Sequence, residues 1–197
     1  MKILKKILIV LGCLIALLLI VALFVGKEYA VEREVIIAKP KSEVFAYVKM
    51  IKNQNNYSVW NQKDPDSKME YKGTDGTVGF VASWDSQMKD VGAGEQEIKK
   101  LVEGERLDME LRFKKPFEAT DNAYMVTEDA GSNQTKVKWG FNGKMPYPMN
   151  LMLLCMNMDK MLGNDLLSGL NNLKGVMEAP SAPQSDSVAV SEAAPRE

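Results

Sequence analysis

The sequence predicts an α+β protein in which a curved antiparallel sheet of about seven strands wraps a long C-terminal helix, behind an N-terminal transmembrane helix. Three observations predict it. Residues 7–25 hold no polar or charged side chain, residues 69–142 alternate apolar and polar positions between turn signals, and residues 149–177 place apolar side chains three to five apart.

The first element is the apolar run ILIVLGCLIALLLIVALFV. Nineteen residues make a helix of about 28 Å, enough for the hydrocarbon core of a bilayer. Fifteen of them are Leu, Ile, Val or Phe, which favours insertion by about 5–9 kcal/mol. A cleaved signal peptide needs a shorter run and small residues before the cut, whereas Phe24 and Glu28 stand three positions inside the candidate sites at Gly26 and Ala30. Residues 10–13 resemble a lipoprotein cleavage box, but most of the apolar run follows Cys13. Residues 1–26 therefore read as an uncleaved anchor. Lys2, Lys5 and Lys6 face Lys27, Arg33, Lys39 and Lys41 across it, and the charges nearest the helix favour a cytoplasmic amino terminus.

A strand follows at residues 29–37, rich in β-formers. Pro40 then opens a helix in which Val44, Phe45, Val48 and Ile51 share a face, to about Lys52. An Asn-rich connection carrying Trp60 leads through Asp64-Pro65 to strands at 69–72, 77–85, 94–102, 105–113, 121–129 and 134–142. The connections between these strands are too short for parallel crossovers, so they form an antiparallel meander. Val78, Phe80, Ala82 and Trp84 share one face, as do Leu107, Met109, Leu111 and Phe113, and then Val137, Trp139 and Phe141; Asp108, Glu110, Arg112, Lys136 and Lys138 point to water. The last helix, residues 149–177, supplies the cover through Leu151, Leu154, Met158, Met161, Leu162, Leu166, Leu170, Leu173 and Met177. Residues 179–197 lack the hydrophobicity to fold and read as a disordered tail. The domain itself spans residues 27–178.

Composition narrows the chemistry. Without the anchor's three lysines, 22 basic side chains stand against 26 acidic ones and no long basic run remains, which disfavours nucleic acid as a partner. The chain has no histidine, which removes imidazole bases, His-centred triads and His-ligated metals. Cys13 and Cys155 fall in different segments and cannot form a paired ligand set. Neither a metal nor a cofactor is expected.

Several stretches resemble the helix-grip fold of the SRPBCC superfamily: Lys39-Pro40 to Val44-Phe45, Trp60 followed by Asp64-Pro65, residues 94–98, 103–107 and 135–139, and Gly169-Leu170-Asn171-Asn172-Leu173-Lys174. The similarity covers residues 29–178 and is strongest to membrane-anchored bacterial members of polyketide cyclase or dehydrase type. That resemblance implies a bacterial inner-membrane protein and a cavity between sheet and last helix that many relatives use for apolar ligands; the charges flanking the anchor put the domain on the non-cytoplasmic side. The resemblance carries no shared catalytic residue.

The cavity wall is expected from Phe80, Trp84, Met109, Leu111, Met125, Trp139, Phe141, Leu154, Met158 and Met161. Met145, Met149, Met152, Met156, Met158 and Met161 crowd one short stretch, either as an adaptable wall or as core filling, inside on both readings. Trp60 lines a pocket mouth or clamps its loop. Gln96 and Lys100 share parity with Ile98, and either reach inward as polar anchors or are turned out by a bulge. Gly163, Gly169 and Gly175 in the last helix indicate close backbone approach or local opening. The leading expectation is a membrane-tethered binder of a hydrophobic small molecule or lipid, with no covalent chemistry. The alternatives are a cyclase- or dehydratase-type enzyme, which requires a buried ionisable group facing the cavity, and a chaperone-like interaction module using the outer sheet surface.

Overall fold

The computed structural model describes residues 2–180. Met1 and residues 181–197, which hold nearly all of the expected tail, lie outside the described residues. Helix α1, Lys2–Phe24, is 23 residues long and fully apolar from Ile7 onward. It is long enough to cross a membrane, and only Ala22 within it is buried. The strands are β1 (Glu28–Ile37), β2 (Lys68–Lys72), β3 (Val81–Asp85), β4 (Ala93–Val102), β5 (Arg106–Lys115), β6 (Ala119–Asp129) and β7 (Thr135–Lys144). Three further helices are α2 (Lys41–Val48), α3 (Val59–Lys63) and α4 (Met158–Glu178), with 3-10 turns at Ile51–Asn56 and Met149–Leu154.

All seven strands form one antiparallel sheet in the order β1-β7-β6-β5-β4-β3-β2. The meander β2–β7 follows from its short turns, and β1 closes the far edge by pairing with β7, Glu28 opposite Lys144 through Ile37 opposite Thr135. This is the helix-grip architecture. One end of the sheet therefore gathers the start of β1, the end of β7 and the β5–β6 turn, directly beyond the last residue of α1. That end is called proximal below.

Alternation along the strands builds the core. Leu107, Met109, Ala123, Met125, Val137, Trp139 and Phe141 line the concave face and are buried, as are Val44, Phe45 and Val48 of α2 and Leu166, Leu170 and Leu173 of α4. Each of those three leucines, at most 1% exposed, contributes about 1.5–3 kcal/mol by leaving water. The outer face carries the charges. Arg112 donates to Glu95 at 2.7 Å, to Glu97 at 2.8 Å and also to Glu110, and the guanidinium holds Glu95 and Glu97 below the usual carboxylate range.

Three expected elements differ. The domain's first helix, expected to run to about Lys52, ends at Val48, because Met50 turns extended (φ −81°, ψ 103°) and Ile51 opens a separate 3-10 turn. The strand expected from residue 77 begins at Val81, because Gly76 and Gly79 take left-handed φ values of +75° and +87° and leave Val78 60% exposed in the turn. The expected last helix starts nine residues late. Asn157 caps α4, its side-chain oxygen accepting from the Lys160 N–H, and the preceding 3-10 turn is held elsewhere, as described below.

Candidate functional site

The centre of the cup is filled by the chain itself. The connection between α2 and α3 inserts Tyr57, which is wholly buried, with its ring edge-on to Trp139 at a centroid distance of 5.7 Å. Its hydroxyl donates to Met125 Sδ at 3.6 Å, and burial pushes the phenol far above its ordinary pKa. Gln54 donates through Nε2 to Met109 Sδ at 3.8 Å and accepts from Gln96 Nε2 at 2.8 Å. The two thioethers are thus weak acceptors for buried donors. Trp60 lies edge-on to Trp139 at 5.9 Å, so it clamps its loop onto the sheet. Of the expected wall, Phe80, Met109, Met125, Trp139 and Phe141 come together on the concave face and are buried.

Trp84 and Leu111 lie on the same face but remain half-buried, as does Phe113. Helix α4 keeps to the β1–β7 side of the cup: Arg33 of β1 pairs with Asp159 at 2.9 Å, Lys174 Nζ donates to the Ile36 carbonyl at 2.7 Å, and the Ala38 N–H donates to Glu178. The concave faces of β3, β4 and β5 toward the proximal end are left to Trp84, Leu111 and Phe113. Trp84 and Phe113 meet edge-on at 5.9 Å, and Trp84 Nε1 donates to the Val91 carbonyl at 3.2 Å. Gly94 makes room for that indole, since a Cβ there would lie 2.7 Å from the ring. This strip is apolar and partly open.

Met158 packs half-buried against the core, whereas Leu154 and Met161 are 63% and 52% exposed. Their expected inward position is corrected, and with it that of Met149 and Met152, which are 50% and 41% exposed. For Met149, Met152 and Leu154 the cause is Asn150. Its buried side-chain amide donates to the Ala22 and Val25 carbonyls at 2.7 and 2.9 Å, which draws the Met149–Leu154 turn toward α1 and away from the cup.

The glycines of α4 report close approach at two positions. A Cβ at Gly163 would meet the Arg33 guanidinium at 2.1 Å, and one at Gly169 would meet the Trp139 ring at 2.8 Å. Gln96 turns inward, while a register shift between Ile98 and Lys100 turns Lys100 out to solvent.

One acidic group on the concave parity was missed in the sequence. Asp121, 6% exposed, accepts from the Lys144 N–H at 3.0 Å, and burial raises its pKa against that hydrogen bond. Tyr29, packed parallel to Phe141 at 6.2 Å, has its phenol pushed up to about 12, first by burial and then by the Asp121 charge. Both border an open cleft of about 480 Å3 across the proximal ends of β1, β7 and β6, lined also by Glu28, Asn142, Gly143 and Lys144 and by no residue of α4. Parity with Ala123 and Met125 was the signal that marks Asp121. Among the described residues no three His, Cys, Asp or Glu side chains converge as a metal site would require.

No protein-family model matches the sequence, and no curated protein matches it. Solved structures do. Norcoclaurine synthase from Thalictrum flavum superposes with a TM-score of 0.58 at 8% identity, over 78% of this chain and 96% of that one. Ginseng major latex-like protein 151 from Panax ginseng gives 0.55 at 13% identity, over 78% and 99%. Protein CV1439 from Chromobacterium violaceum gives 0.54 at 13%, over 77% and 98%. At such identities the likeness speaks for the fold alone. The described residues that follow α1 share that fold, the helix-grip arrangement.

Proposed function

We propose that the protein is a membrane-tethered helix-grip domain that takes a hydrophobic small molecule or lipid at the proximal, open part of its concave face. The observation that carries this reading is the half-buried strip of Trp84, Leu111 and Phe113, which faces inward yet is left uncovered by α4 at the end where α1 leaves the domain. An apolar guest laid on it would gain about 25 cal/mol for each Å2 removed from water, with Gln96 as a polar neighbour. The buried Tyr57–Trp139 layer closes the deeper part of the cup, so the guest sits at the mouth. Tethering is supported by the length and composition of α1 and by the Asn150 bonds to its last turn; a cleaved leader would leave that buried amide without its acceptors. We place the anchor in a bacterial inner membrane with the domain outside the cytoplasm.

The test uses the full chain in detergent. Native mass spectrometry should detect a co-purifying apolar molecule, and a fluorescent fatty-acid probe should bind and be lost on Leu111→Glu. Absence of both the co-purified molecule and probe binding would defeat the reading. Asp121 favours a second one, a cyclase- or dehydratase-type activity, because it is a buried carboxyl beside a phenol in an open cleft. Asp121→Asn should leave probe binding intact on the binding reading. Under the catalytic reading it would alter the chemical form of the molecule recovered from cells.

A further inference from the structure

We propose that the segment from Tyr147 to Met161 is a second membrane contact, which seats the proximal end of the domain directly on the bilayer that holds α1. This rests on α1 being a membrane anchor. The segment presents Tyr147, Met149, Met152, Leu154 and Met161 to the outside at 41–63% exposure, an apolar surface that the core does not use. Its position relative to α1 is fixed rather than loose. Asn150, in the same turn, is fully buried and donates to the carbonyls of Ala22 and Val25, so Met149 and Met152 flank the last turn of the apolar helix. A helix of 23 residues is about 34 Å long, and its last turn lies where hydrocarbon gives way to headgroups when it spans.

The other side of the same end repeats the pattern. Phe117, in the β5–β6 turn, is 78% exposed, and β5–β6 opens toward the same end as Lys144 and Glu28. Tyr and Phe with apolar neighbours suit the interfacial zone. The proximal rim mixes Lys27, Lys115 and Lys144 with Glu28, Asp85 and Glu118, so apolar burial rather than attraction to anionic lipid drives the seating. The open strip of Trp84, Leu111 and Phe113 then faces the lipid, the source of the guest proposed above.

The chain supplies its own reporters, since Cys13 lies in α1 and Cys155 is exposed in the segment. Single-cysteine chains, Cys13→Ala and Cys155→Ser, are labelled with an environment-sensitive fluorophore and reconstituted into phosphatidylcholine vesicles containing spin-labelled lipid quenchers, with Glu105→Cys in a cysteine-free background as the distal control. The expected result is blue-shifted, lipid-quenched emission from both Cys13 and Cys155 and unquenched emission from position 105, unchanged when salt is raised. Met152→Glu with Leu154→Glu should return the Cys155 signal to its aqueous value and leave Cys13 quenched. Cys13 in lipid with Cys155 in water overturns the seating and spares the anchor. Both labels in water overturn the anchor and the seating with it. A Cys155 signal shielded from water yet unquenched by lipid, and dependent on protein density, shows a second copy on the patch and overturns the proposal.

Discussion

At Gly169 a single hydrogen in place of a methyl group decides how α4 meets the sheet. Alanine would ordinarily stabilise a helix by about 1 kcal/mol over glycine, but its Cβ would lie 2.8 Å from the buried Trp139 ring, and overpacking of that kind costs about 1–3 kcal/mol. Gly169→Ala should therefore lower stability. Gly175, with nothing within 4 Å of its Cβ position, should show the opposite sign, Gly175→Ala gaining up to about 1 kcal/mol; urea unfolding of the two variants in detergent measures both. Asp121 gives a residue-scale prediction in pH. Its pKa is raised above the ordinary 3.8 by burial, so the folded state holds its proton more tightly than the unfolded one. Its contribution is most favourable below that ordinary value and is lost as pH rises through the raised pKa. Asp121→Asn stays neutral and keeps an oxygen for the Lys144 N–H. The variant should exceed the parent in stability at about pH 7, with the difference shrinking toward about pH 3; a stability excess independent of pH would contradict the assignment. The parity that marks Asp121 was readable in the sequence. The depth of Tyr57 was not, because an aromatic residue in an Asn-rich connection has no periodicity to place it.

Among the elements, the strands were legible and the last helix was only partly so. Alternation placed the meander's six strands within a few residues because each has one wet face and turn signals separated them. Lys100 defeated a simple extension of that parity, since the bulge after Ile98 turns it outward. The stripe of residues 149–177 reads as one helix because apolar spacing persists through it, yet the chain changes direction at Asn157, whose cap ends the run of shared periodicity. The apolar side chains before the cap serve another surface, and composition alone cannot tell a core from a second outside face. What separates them is Asn150, which supplies donors to carbonyls that helix geometry leaves open at the end of α1. Asn150→Ala should keep the domain folded while freeing the junction, and trypsin cleavage after Lys27 in reconstituted protein should accelerate several-fold. An unchanged cleavage rate would mean that the two bonds do not hold α1 against the domain.

For the molecule as a whole, α1 and the domain divide the hydrophobic material between them. The core cluster draws on β1, β3 to β7, α2, the Tyr57 connection and α4, and contains no residue of α1. A chain of residues 27–197 should therefore lose only about 1–3 kcal/mol of stability relative to the full chain, since it forfeits chiefly the two Asn150 bonds, each worth about 0.5–1.5 kcal/mol. Its behaviour in solution should change far more than its stability. Removing α1 uncovers Asn150 and leaves Met149, Met152 and Leu154 bordering open water, an apolar patch with no partner. The shortened chain should self-associate in buffer, become monodisperse with mild detergent, and sediment with vesicles, while Met152→Glu with Leu154→Glu should restore a monomer without detergent. Sheet closure between β1 and β7 joins residues more than a hundred positions apart at Glu28 and Lys144, so refolding of this chain should be slow for its size, in the millisecond-to-second range expected when non-local pairings dominate. Analytical ultracentrifugation beside thermal unfolding separates the two effects. A shortened chain that stays monomeric and ignores vesicles would show that the exposed methionines are ordinary surface, and a large loss of stability would show that α1 belongs to the core after all.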